Sequence, residues 1–420
     1  MVVKPGYKQT EAGVIPEEWE VKRLGDVVDT DPENLGSDTK PAFTFKYIAL
    51  DDVDSGFLRS HSEQLFATAP SRARRKLRPN DVLVSTVRPN LQSHLLFKGE
   101  AGCWVCSTGF CVVRCREGVT HPGFVFFHLF ASCLNRQIDA LLTGSNYPAI
   151  NSGDVRTLEI PFPPHAEQGA IAEALNDVDE LLGGLDWLIA KKRDLKQAAM
   201  QQLLTGQTRL PGFHGEWEDA QVRDVIAGFF CGPSPTCEER NIQGDDEWGV
   251  LKTTAATKEN GWDSTKHKTL PRVFWNKPQI ELKKGDVIVT KAGPRHRVGV
   301  TAWIDYVPPR IIPSGKMIAL RPRPDKVVPL MLAAAISARD AQTYLDQRTT
   351  GMAESQVNFE NIALLEAPIT IPRIEEQTAI AEVLTEMDLE LAMLEQRREK
   401  TRALKQAMMQ ELLTGRTRLV

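Results

Sequence analysis

The sequence has 420 residues, of which 42% are hydrophobic and 25% charged, an ordinary soluble composition that contains no apolar run long enough to cross a bilayer. Its opening, MVVKPGYKQTEAGVIPEEWE, lacks the basic-then-apolar layout of a secretory signal, so the expectation is a cytoplasmic protein of two to four domains. A net charge of −4 excludes a chain that coats nucleic acid through bulk positive charge, and any such contact has to be local.

In chain order, the segment EWEVKRLGDVV at 18–28 leads into a first domain of short predicted strands, among them Val82 to Thr86, separated by turn-forming Gly, Pro, Asn and Asp. Arg72, Arg74, Arg75, Lys76 and Arg78 crowd one stretch of it, although a charge run by itself is as well read as a solvated face. Four of the seven cysteines fall in GCWVCSTGFCVVRC; the later spacings run through β-prone residues, where a strand points side chains to alternating faces, so buried thiols are favoured over a zinc site. An odd count in a reducing compartment gives no disulfide framework. One helix is predicted at Pro122 to Leu142, followed by the polar TGSNY at Thr143 to Tyr147. Prolines at 161, 163 and 164 then introduce a much longer helix that stops at Gly206.

The second half restarts with EWEDAQVRDVI at 216–226. A strand is predicted at Val287 to Thr290, a second basic cluster at Lys291, Arg295, His296 and Arg297, and a helix near Leu330 to Asp346. Prolines 368 and 372 precede a second long helix, which stops at Gly415.

Residues 167–210 and 376–419 are one segment used twice, offset by 209 without a gap, each opening on EQ and closing on LLTG(Q/R)TRL. Apolar residues at Ile171, Leu175, Val178, Leu182 and Leu185, and at Ile380, Leu384, Met387, Leu391 and Leu394, follow the 4-3 spacing of a coiled-coil seam. Such a stripe needs an apolar partner, and the natural partner of each copy is the other. Gly183 and Gly184 interrupt the first copy, which predicts a bend or a close helix contact there. The segments between the helices repeat more loosely, with LRPNDVLVSTVRP at 77–89 echoing LKKGDVIVTKAGP at 282–294. Shared parts should meet the same partner twice, and divergent parts two different things.

These motifs, with GYKQTEAGVIPEEWEVKRLGDV, STGFCVVR and IPFPPHAEQGAIAEAL, make nearly the whole chain resemble the specificity subunits of type I restriction-modification enzymes. The resemblance implies an α/β, mixed α+β fold in which two target-recognition domains are separated by two long antiparallel coiled-coil helices in a pseudo-two-fold repeat. The expected boundaries are 1–160 and 213–370 for the domains, and 161–212 and 371–420 for the helices. It also implies a non-catalytic subunit that binds a bipartite sequence in double-stranded DNA. Two modification subunits would methylate adenine using S-adenosylmethionine, and restriction subunits would translocate and cut, so that S-adenosylmethionine, ATP and Mg are expected on partner chains. Consistent with this, no methyltransferase motif pair, Walker loop or HExxH is visible in the sequence.

Recognition of this kind needs Lys and Arg for phosphates and loop side chains for base edges. The candidate DNA-binding residues are Arg72, Arg74, Arg75, Lys76, Arg88, Asn90, Ser145 and Asn146 in the first domain, and Lys266, Lys268, Lys291, Arg295 and Arg297 in the second. The rival readings are a coiled-coil adaptor that binds no DNA, and a specificity subunit of a methylation-only system.

Overall fold

The computed structural model describes residues 5–10, 13–99, 102–143, 148–244, 246–257 and 261–419. The chain divides into two compact units, one formed by residues 1–188 with 394–420 and the other by residues 189–393.

In the first unit, the strands Leu95–Leu96, Val82–Ser85, Phe110–Cys115 and Val28–Thr30 form one antiparallel sheet in that order. A second sheet runs Ser62–Leu65, Thr44–Ile48, Trp104–Ser107, Ala73–Leu77, with Trp104–Ser107 parallel to Thr44–Ile48 and antiparallel to Ala73–Leu77. Alternation along the strands divides the apolar residues between two cores. Leu83, Phe110 and Val112 join Ile48, Trp104 and Cys106 in one core, while Val82, Val84, Cys111 and Val113 face the helices. Those helices are α1 (Pro122–His128) and α2 (Ser132–Leu141), where the sequence predicts one helix. The break falls at Leu129 to Ala131, with Ala131 in extended backbone, and it lets Phe124, Phe127, Leu134 and Ile138 all reach the same core.

Each long helix has 39 residues: α3 spans His165–Leu203 and, further along the chain, α6 spans Ile374–Leu412. At 1.5 Å per residue each is about 58 Å long. Within the first unit, the start of α3 packs against the end of α6, with Ile171 and Leu175 in the same core as Leu412 and Leu413. Ion pairs from Lys405 to Asp179, 2.5 Å, and from Arg398 to Asp186, 3.3 Å, fix the antiparallel direction.

The second unit repeats the plan with changes. Ile226–Phe230, Met317–Pro322, Val287–Thr290 and Thr301–Trp303 form an antiparallel sheet in that order. Its Val287, Val289, Ile318 and Leu320 face the pair formed by α4 (Pro329–Ser337) and α5 (Arg339–Gln347), together with Leu203, Ile380 and Leu384 of the long helices. The single helix predicted near Leu330 to Asp346 is therefore also two, divided at Ala338, which adopts an extended conformation. A smaller sheet holds His267–Thr269, Gly249–Leu251 and Ile311–Ile312, and a third holds Ala292–Gly293, Gln356–Asn358 and Thr350–Ala353. Here the end of α3 and the start of α6 are tied by Lys192 to Glu390, 2.7 Å, and by Lys196 to Asp388.

Along the predicted seam, Ile171, Leu175, Leu185, Ile380, Leu384 and Leu391 are buried, and Val178, Leu182, Met387 and Leu394 are half-buried. Of the bend or close helix contact expected at Gly183 and Gly184, no close contact is found among the described residues: α3 continues through both, and a Cβ at either would meet nothing within 4 Å. The predicted stops are correct. Gly206 (φ 70°) and Gly415 (φ 69°) are left-handed, and a Cβ on Gly415 would stand 2.6 Å from Pro16.

Candidate nucleic-acid interface

The same polar bonds hold both heads to the helices. Glu167, at the start of α3, is buried and accepts a bidentate bond from Arg418 in the turn after α6, with the Trp19 indole donating to the same carboxylate at 3.2 Å. In the second unit Glu376 is buried and accepts the same bidentate bond from Arg209, whose guanidinium lies 5.9 Å from the Trp217 ring. The glutamine that follows each Glu brackets the backbone. Gln168 accepts from the His121 amide at 2.9 Å and donates to the Val119 and Pro163 carbonyls; Gln377 accepts from the Val328 amide at 2.9 Å and donates to Lys326 and Pro372. A third pair lies inside each domain. Asp81 accepts Nε and Nη2 of Arg114 at 2.8 and 2.7 Å, and Asp286 accepts Nε and Nη2 of Arg321, both at 2.8 Å.

On this framework the predicted site residues fall into different surroundings. Arg72 is exposed in the turn before Ala73–Leu77. Arg74 lies over the Phe66 ring at 5.0 Å, and Arg75 is turned inward to Asp31 and Ser152, with its side chain only 14% exposed. Lys76 is half-buried on the same strand, and Arg78 pairs with Glu33. The Arg114 guanidinium, with Arg78 and Lys76 nearby, holds the Glu33 carboxyl below its usual range. Arg88 and Asn90 are exposed on a turn whose ends, Arg88 and Gln92, both take left-handed backbone (φ 50° and 54°). Ser145 and Asn146 lie outside the described residues.

In the second unit Lys266 reaches Asp263 at 3.7 Å, Lys268 reaches Glu239, and Arg295 pairs with Asp346 at 2.6 Å. Lys291 donates to Asn361 at 2.9 Å. Arg297 donates to the carbonyls of Thr253 and Ala256, so its side chain braces a neighbouring loop. Arg295, His296 and Arg297 form one short 3-10 turn.

One correspondence was not drawn from the sequence. In the first unit Ala149 makes β-bridges to both Val87 and Thr143; in the second Asn358 pairs with both Ala292 and Thr350. In each domain the segment after the central strand is thereby bridged to a residue that also pairs with a threonine, Thr143 or Thr350. The sequence carries one signal of it, the TG that begins at 143 and again at 350.

Of the four cysteines in GCWVCSTGFCVVRC, Cys106, Cys111 and Cys115 pack against apolar cores, whereas Cys103 is exposed, which corrects the expectation of a buried thiol there. Cys106 and Cys111 are buried in different cores, and burial pushes the Cys111 and Cys115 thiols up to about 12, which keeps them protonated and poor metal ligands.

Two similar heads on one repeated framework describe the class of two-domain DNA-specificity proteins, and comparison with known proteins identifies which. The profile of the type I restriction modification DNA specificity domain matches residues 16–185 and again residues 214–402, and the chain belongs to that family. It is 34% identical over 156 residues to the EcoEI type I restriction enzyme specificity subunit of Escherichia coli, a match covering 37% of this chain and 26% of that subunit. It is 23% identical over 443 residues to the MjaVIII specificity subunit of Methanocaldococcus jannaschii, covering 98% of this chain and 96% of the relative. The fold is also that of the HsdS subunit of Thermoanaerobacter tengcongensis, with a TM-score of 0.57 and 24% identity over 99% of this chain and all of that one. DNA sequence recognition within a type I restriction-modification system is accordingly the function of the class.

Proposed function

We propose that the protein recognises a bipartite duplex target, each domain reading one half, and that it carries this specificity to catalytic partner chains. The domains are 1–160 and 213–370, and the helices 161–212 and 371–420 act as the spacer. The reading places recognition on loops and phosphate contacts on Arg72, Arg88, Lys266, Lys268 and Arg295, with Arg75, Lys291 and Arg297 holding loops in place through the internal bonds described above. Two modification subunits that methylate adenine, with S-adenosylmethionine on their own chains, dock on the helices; restriction subunits carrying ATP and Mg join them. The setting is the cytoplasm; among the described residues no helix is long and apolar enough to cross a membrane.

The observation that carries the partner reading is an apolar groove in the first unit whose lining positions recur, as apolar residues, in the sequence of the second. In the first unit Ala174, Leu404, Met408, Leu412 and Leu419 line a groove of about 350 Å³. The positions 209 residues away are Val383, Leu195, Ala199, Leu203 and Leu210, all in the second unit, and both Leu404 (54%) and Leu195 (48%) are left exposed. A surface built twice suits two copies of one partner. Leu404→Asp and Leu195→Asp should each lower the number of bound modification subunits from two to one, and the double variant to none, as read by light scattering of the purified complex. Retention of two subunits by both single variants would remove Leu404 and Leu195 from the interface. Gel shift of the wild-type complex on its methylated motif, with Arg295→Ala weakening binding without loss of assembly, tests the DNA side.

A further inference from the structure

We infer that the hairpin Thr350–Asn358 is a base-reading element of the second domain, with Gln356 as its specificity-determining side chain and Glu354 beside it. The inference rests on the DNA-reading function proposed above and adds residues that the basic clusters did not indicate.

Four observations place it there. First, Asn358 pairs with both Ala292 and Thr350 as Ala149 bridges both Val87 and Thr143, and Thr143 and Thr350 each donate from the side-chain hydroxyl to the carbonyl of the residue that bridges both neighbours. Two domains with unlike outer sheets have kept this pairing, so its placement answers a need that both share.

Second, the hairpin is held rigidly. Ala292 and Gly293 pair with Asn358 and Val357, the Arg295 amide donates to the Glu354 carbonyl at 2.9 Å, and the Phe359 amide donates to Lys291 at 3.2 Å. Gly351 has φ 152°, and a Cβ on it would stand 2.6 Å from the Gln356 carbonyl oxygen, so the turn closes only around glycine. A reading side chain must be fixed by its backbone, and this backbone has little freedom.

Third, alternation sets the orientation. Val357 and Phe359 are buried, at 5% and 2% exposure, whereas Gln356 and Asn358 are exposed on the opposite face. Asn358 is bonded to Thr350, but Glu354, Ser355 and Gln356 have no side-chain hydrogen bond among the described residues.

Fourth, the chemistry of the tip differs from that of its base. Arg295, His296 and Arg297 suit phosphates, whereas the Glu354 carboxylate would be repelled by the phosphate backbone. A Glu beside such a turn is favourable where it meets the amino group of a base, as Glu does with cytosine N4, and Gln offers the bidentate match to adenine N6 and N7. The hairpin tip is therefore suited to base edges in the major groove, with the basic turn beside it on the backbone.

The test uses the assembled complex of the full chain with its modification subunits and a pool of duplexes randomised across the target. Bound DNA is sequenced for the wild type, Gln356→Ala and Glu354→Gln. The expected result is that Gln356→Ala loses discrimination on the order of tenfold at one or two base pairs of a single half-site, with the other half unchanged, and that Glu354→Gln alters preference at an adjacent pair. The unchanged half-site also reports that the variant is folded and assembled. The inference is overturned if both variants enrich the wild-type motif at full strength, or if preference falls equally in both halves. A wild-type complex that enriches no motif would remove the DNA-reading function itself, an outcome distinct from failure of the hairpin alone.

Discussion

The two units share their polar joints and differ in their outer sheets. The Glu–Arg pair at the helix ends, the Gln bracket and the buried Asp–Arg pair occur in both, with similar geometry. The second sheet, by contrast, has four strands in the first unit and three in the second among the described residues. Bonds that build the scaffold have been kept, and the surface free to face different sequences has changed. A buried carboxylate is costly to leave unpaired, which explains why such pairs persist through divergence when apolar contacts drift.

The strongest challenge to this comparison is to break the equivalent bonds. Arg114→Ala and Arg321→Ala each leave a buried aspartate with only backbone donors, and each should lower stability by about 3 kcal/mol in urea unfolding. Similar losses would support one scaffold built twice; a loss in only one would show that the shared geometry hides unequal roles.

Acid should separate the units. His128 is wholly buried against Phe124 with neither ring nitrogen bonded among the described residues, and His94 uses only Nδ1, which accepts from the Ser85 amide. Burial lowers their folded pKa values to about 3 and about 4. Both stay neutral in the fold while the unfolded chain takes up protons below the ordinary value of 6.5, so stability is full above that pH and falls as pH drops from 6.5 towards 4. The slope is about 1.4 kcal/mol per pH unit for each. Both groups belong to the first unit, where hydrogen exchange should show acid-induced opening first, and His128→Leu should remove about half of the slope. Equal opening of the two units would count against this assignment.

The smallest effect concerns the helices. Gly183 and Gly184 occupy positions that the repeat fills with Ala392 and Met393, and the space beside them is open. Gly183→Ala and Gly184→Ala should each stabilise the protein by up to about 1 kcal/mol, seen as a raised Tm. A fall in Tm would mean that the glycines carry a backbone role the repeat does not share.

Much of the framework was legible because it is written twice: helix length, seam, proline entries and glycine stops all follow from comparing residues 167–210 with 376–419. The helix breaks at 129–131 and 338 were not, since neither carries a glycine or proline to mark it. The joints were visible only as identities. Glu167 and Arg209 recur in the second copy, yet each bonds to the other copy's partner, Arg418 or Glu376, far along the chain. For the site, the basic runs located the right loops but not the role of each side chain. Arg75 is turned inward because Asp31, 44 residues earlier, lies across the sheet, and no local pattern encodes that counter-ion. The hairpin at 350–358 is not legible as a DNA-binding element because its residues carry no positive charge and no local pattern marks them.

Residues 394–420 belong to the same compact unit as residues 1–188, although one helix, α6, runs into them from the second unit. During synthesis the second unit therefore has its whole sequence before the first does, and the half made earliest must wait for residues 394–420 to bury Ile171 and Leu175 against Leu412 and Leu413. Until then an apolar helix face stands open on the nascent chain, so a ribosome stalled late in the message would release a polypeptide whose downstream half is finished and whose upstream half is not.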